Sequence, residues 1–284
     1  LIEQLCPLIT KLLEVVISET NFNFDLLHQI LKPIDDIILY KYPILDTQHA
    51  IKLAIDVMLD KSVPGEYKAQ LNNLIEICVR DRELQISAES TRYILAIEFT
   101  LSIMLYHDEQ EDEKFTWSYQ IEDIVEYIFL RSTSQFIVNN VRNNFKMYYE
   151  NENEGIRFFQ LLLIKVLSKC YDIPNSEDLL IELYPCLFNF LSDPSPRFRA
   201  YTAITLGFIS PRIKDYIIDN MISILEKVNN FVDEYRDEAS TFLLLSLIEC
   251  ADNTDDFLEV EYRFIKEFLG YPNPSICMDV IDII

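Results

Sequence analysis

The chain has 284 residues, half of them hydrophobic and 12% aromatic, with only 4 glycines. Such apolar content rules out a disordered chain. The shortage of glycine argues against β-sandwich, dinucleotide-binding and phosphate-cradling designs, whose tight turns need it. A net charge of −23 repels phosphate backbones and anionic lipid surfaces, so nucleic acid and membrane are disfavoured and a basic or extended protein segment is the compatible partner.

Apolar residues recur at helical spacing along almost the whole sequence. The spacing predicts helices over 1–18, 24–41, 46–60, 66–81, 87–107, 118–132, 134–149, 154–171, 176–191, 196–209, 212–228, 235–250, 255–269 and from 274 to the end. Pro33 marks a kink and Pro43 a helix end. Further breaks fall at Ser62-Val63-Pro64-Gly65, at 172–176, at Ser210-Pro211 and at Tyr271-Pro272-Asn273-Pro274. Short connections make neighbouring helices antiparallel hairpins. The acidic run at 107–114 contains Asp108, Glu109, Glu111, Asp112 and Glu113, and reads either as a solvated connector or as a docking loop for a basic segment. The stretch Glu150-Asn151-Glu152-Asn153-Glu154 reads as a plain loop. The chain opens at Leu1 and closes within an apolar pattern at Ile284, so a segment of a longer protein is expected.

Residues 190–209, FLSDPSPRFRAYTAITLGFI, carry the most specific pattern. Asp193 is placed to cap the following helix, Pro196 suits its first position, and Arg199 sits in its first turn. Arg199 follows Arg157 by 42 residues and precedes Arg236 by 37, and a further 41 leads to Cys277 behind the Pro-Asn-Pro turn. Steps of about 40 residues are those of two-helix repeat units. The pattern resembles HEAT and armadillo repeats. That resemblance implies an all-α fold, an α-α superhelix of about seven hairpins, more regular over 154–284 than over 1–153. It further implies structural roles for Asp193, Pro196, Arg199, Arg236 and Arg157, because the turn aspartate and second-helix arginine of HEAT units hold adjacent repeats together. Second helices of such arrays line the concave face, which makes 196–209 and 235–250 candidates for partner contact. Tyr148, Tyr149 and Tyr216 are candidate anchors.

Catalytic and metal motifs are sparse. The six cysteines form no CxxC pair and read as buried thiols inside the cell, in the cytoplasm or nucleus. Asp25 and His28, like Asp46 and His49, could share a helix face, yet an aspartate near a helix start is an ordinary cap, so no metal or other cofactor is expected. No GxSxG or HExxH occurs, and no enzyme activity is expected. The expected function is a non-catalytic scaffold or adaptor that binds protein partners. Cargo binding of the importin-β type, or a regulatory solenoid within a larger enzyme or complex, are the alternatives that the resemblance allows.

Overall fold

The computed structural model describes residues 88–108, 116–221 and 238–251, with separate positions of helices at 72–80 and 223–228. Among the described residues every regular element is helical. In chain order these are α1 (Ala88–Asp108), α2 (Thr116–Phe129), α3 (Ser134–Tyr148), α4 (Glu154–Lys169), α5 (Ser176–Leu187), α6 (Pro196–Ile209), α7 (Lys214–Asp219) and α8 (Glu238–Ala251), with 3-10 turns at Phe188–Ser192 and Ser210–Ile213. The expected helices over 1–18, 24–41, 46–60, 255–269 and beyond 274 lie outside the described residues.

Two expected helices are shorter than their apolar pattern. The helix expected over 176–191 ends as α-helix at Leu187 and tightens into 3-10 geometry, two residues after Pro185, which has no N–H for the helical ladder. The helix expected over 212–228 is divided. It opens as a 3-10 turn, α7 stops at Asp219, and Asn220 leaves helical geometry with φ −115° and ψ 13°. Its side-chain amide donates to the Tyr216 carbonyl at 2.9 Å, competing with the backbone for that acceptor.

The described residues group into two compact units. One holds those up to Thr133 together with Asn151–Phe159, the other Ser134–Glu150 and those from Gln160 onward. In the first, α1 packs on α2. Ile94, Ile97 and Leu101 on α1, and Ile121, Ile124, Val125 and Ile128 on α2, are buried at the spacing of a single helix face. The opening turns of α4 join this core, with Phe158 5.2 Å from the Tyr106 ring and Phe159 5.4 Å from Phe99. Gly155 permits the approach, since a Cβ there would stand 3.0 Å from the Ile103 Cα.

In the second unit α4 is buried on all sides from Gln160 to Ser168, as its almost unbroken apolar sequence requires. The unit's main helix pair is α6 on α8. Gly207 lets these two close, because a Cβ on it would come within 2.6 Å of the Phe242 ring. Buried hydroxyls here are satisfied. Tyr184 and Ser210 share a hydrogen bond of 3.0 Å, while Thr202 and Thr205 each donate to the carbonyl four residues back at 2.8 Å. Burial pushes the Tyr184 phenol well above its ordinary range, against the opposing bond from Ser210.

Candidate functional site

The turn before α6 is built from side-chain hydrogen bonds to its own backbone. Asp193 Oδ1 accepts from the Ser195 N–H at 2.9 Å, which closes the loop on itself. Ser195 then caps α6, its Oγ accepting from the Phe198 N–H at 3.4 Å. Pro196 takes the first helical position, where a missing N–H costs nothing. The cap is therefore Ser195, and the expectation that Asp193 caps the helix is corrected: Asp193 lies two residues earlier, where its Oδ1 sets the turn. Arg199 is 9% exposed and folds back, its Nη1 donating to the carbonyls of Asp193 at 2.6 Å and Pro194 at 3.0 Å.

The turn before α4 repeats this construction 42 residues earlier. Asn151 Oδ1 accepts from the Asn153 N–H at 2.9 Å, and Asn153 Oδ1 accepts from the Ile156 N–H at 3.3 Å. Arg157 Nη1 donates to the carbonyls of Asn151 at 2.6 Å and Glu152 at 3.4 Å. Asn151, Asn153 and Arg157 thus occupy the places of Asp193, Ser195 and Arg199. The stretch that reads as a plain loop is a helix-capping turn. Both arginines bind carbonyls of their own turn, and these bonds fix how each helix leaves its loop.

Arg212 makes a longer-range clamp. Its guanidinium donates to the Ser168 carbonyl and to Ser176 Oγ, both at 3.1 Å, and lies 4.3 Å from the Tyr171 ring centre. It thereby ties the loop between α4 and α5 to the turn before α7. Sequence reasoning left Arg212 unmarked.

Of the candidate partner contacts, α6 offers little free surface, as nine of its fourteen residues are buried. Phe208 is its exposed large side chain, beside Phe242 at 5.3 Å and with Lys165 and Lys169 over its ring at 5.3 and 5.6 Å. Tyr149 is engaged internally: its hydroxyl donates to the Cys186 carbonyl at 3.2 Å, accepts from Asn189 at 2.7 Å, and its ring lies 4.9 Å from Phe190. Tyr216 is half-buried with its ring 6.3 Å from Tyr184. Among the described residues the most exposed large apolar side chains are instead Tyr171, Met147, Tyr119 and Leu130, at helix ends and on the surface of α2.

Glu109, Glu111, Asp112, Glu113 and Arg236 lie outside the described residues, as do both Asp–His pairs; Asp108 is placed only as the last residue of α1. Among the described residues no group of His, Cys, Asp or Glu could hold a metal ion, and no helix is long and apolar enough to cross a membrane.

No protein-family model matches the sequence, and no curated protein matches it. The fold does match a solved chain, from a structure described as the structural basis of microtubule plus-end tracking by XMAP215, CLIP-170 and EB1. The match covers 84% of this chain and 88% of that one, with a TM-score of 0.50 at 15% identity. The fold class is accordingly all-α, a superhelix of HEAT-like helical repeats.

Proposed function

We propose that this chain is a non-catalytic scaffold or adaptor that binds protein partners, and that the arginine turns are structural parts of it. The observation that carries this reading is the distribution of charge on a helical-repeat fold. Residues 131–228 hold 11 basic and 11 acidic side chains, 1–130 hold 10 and 23, and 229–284 hold 3 and 13. The whole net charge therefore resides outside the central stretch, and supports docking of a basic or extended partner segment on the flanking parts. Helical repeats bind through extended surfaces rather than enclosed pockets, which suits such a partner. An intracellular setting, cytoplasmic or nuclear, agrees with the reduced thiols Cys170, Cys186 and Cys250.

The test is affinity capture by the whole chain from its native cell, followed by reconstitution with the purified partner. The expected result is a stoichiometric protein complex whose affinity falls on the order of tenfold or more as salt is raised from low to physiological strength. A salt-insensitive complex, or recovery of nucleic acid, contradicts the reading. Recovery of a transport cargo would specify the importin-like form of it, and recovery of a catalytic subunit the regulatory form. Co-sedimentation with microtubules asks separately whether the role named for the solved neighbour extends to this chain.

A further inference from the structure

The first unit contains a polar cluster that its own side chains leave open. Glu98 on α1 is 0% exposed and receives a single hydrogen bond, from Asn72 Nδ2 to its Oε2 at 3.2 Å. Its Oε1 has no partner, and neither has Asn72 Oδ1 nor Ser102 Oγ, although Asn72 is 2% exposed and Ser102 0%. Ser102 follows Glu98 by one helical turn and shares its face of α1. Three fully buried oxygens without partners at one place are rare in folded proteins, and an internal water making about three hydrogen bonds is the usual way such groups are satisfied.

We propose that Asn72, Glu98 and Ser102 enclose one internal water, with the Glu98 carboxyl held as the neutral acid. One water then gives each of the three oxygens a partner. Protonated Oε1 donates to the water, and the water donates to Asn72 Oδ1 and Ser102 Oγ. The Ser102 O–H is a further donor, so a carboxylate would meet the same hydrogen-bond count, and the neutral state rests instead on the complete burial of Glu98 and the like charge of Glu76.

The surrounding charges favour the same protonation state. Glu76, a helical residue, is the charged group among the described residues that acts on Glu98, and it does so with like sign. Arg80 pairs with Glu76. On α4, Glu154 accepts from the Tyr106 hydroxyl and Arg157 is held by its turn carbonyls. On α2, Gln120 donates to Glu76 and the buried carboxyl is Glu122. Burial pushes the Glu98 carboxyl up to about 8, with the Asn72 amide opposing and Glu76 adding to the rise.

The sign of the pH effect follows. Between the ordinary carboxylate pKa of 4.5 and about 8 the folded chain holds a proton that the unfolded chain has lost. The stabilisation is complete below that window, declines as pH rises through it, and is gone above about 8.

The test uses the whole chain, wild type and Glu98→Gln, with Glu122→Gln as control. Infrared difference spectra at neutral pH are expected to show a protonated-carboxyl C=O band that disappears at alkaline pH, is absent from Glu98→Gln and survives in Glu122→Gln. Thermal midpoints of wild type are expected to fall relative to Glu98→Gln from pH 5 to 8 and then to run parallel. A crystal structure at neutral pH is expected to show one water within hydrogen-bond distance of all three oxygens. A carboxylate band alone at neutral pH, a dry cluster, or a metal ion in place of the water each overturns the proposal. Should Glu98→Gln fail to fold, the wild-type spectrum and crystal structure decide it.

Discussion

The turns before α4 and α6 use the same bonds and different residues, and the contrast shows what fixes a repeat. At 193–199 an aspartate sets the loop, a serine caps the helix and a proline opens it. At 151–157 two asparagines do the first two jobs, and Glu154 stands where the proline stood. Asparagine, aspartate and serine all present a short side-chain oxygen at the right distance from the backbone, so the geometry is shared although the letters are not. The arginine is common to both. Its reach back to the carbonyls five and six residues earlier closes each turn.

Substitutions at matched positions can break this equivalence. The largest effect is expected for Arg199→Ala, which removes a buried guanidinium and its two bonds to the part-buried carbonyls of Asp193 and Pro194 and should lower stability by ~1–3 kcal/mol. Arg157→Ala should act in the same direction and less strongly, because Arg157 is only half-buried and water can replace it. Urea unfolding of both variants measures the order, and a larger loss at Arg157 would break the comparison. Removing the caps comes next. Ser195→Ala and Asn153→Ala should each cost ~1 kcal/mol, with amide exchange rising in the first turn of α6 or α4 respectively. If only one variant responds, the two caps are not equivalent. The smallest effect is a gain: Glu152→Pro places proline where Pro194 stands and should stabilise by ~0.5 kcal/mol through the unfolded chain, seen as a small rise in thermal midpoint. A loss would mean that the backbone at Glu152 differs from that at Pro194.

The helical fold and the turn at 193–199 were legible because proline and apolar periodicity leave strong traces. The start and end of α6 agree with the expected 196–209. The turn at 151–157 was not, since asparagine and glutamate in alternation look like solvent-exposed loop wherever no proline marks the helix start. Arg212 left no trace for another reason. One of its acceptors is a backbone carbonyl 44 residues away, and backbone acceptors have no sequence signature. In the sequence Glu98 is only a charge within the apolar stretch from Tyr93 to Tyr106. Its complete burial depends on packing that periodicity does not report. Asp193 was placed at the right turn and given the wrong bond, because residues two apart in a turn compete for the capping role and only backbone geometry decides between them.

If the arginine turns are structural and partner binding lies elsewhere, stability and affinity must separate in one variant. The direct measurement takes Arg199→Ala, records its urea midpoint, and titrates it with the captured partner under conditions where wild type and variant are both folded. The predicted result is a lowered midpoint with partner affinity equal to wild type. An unchanged midpoint with weakened binding would contradict it and make Arg199 a contact residue.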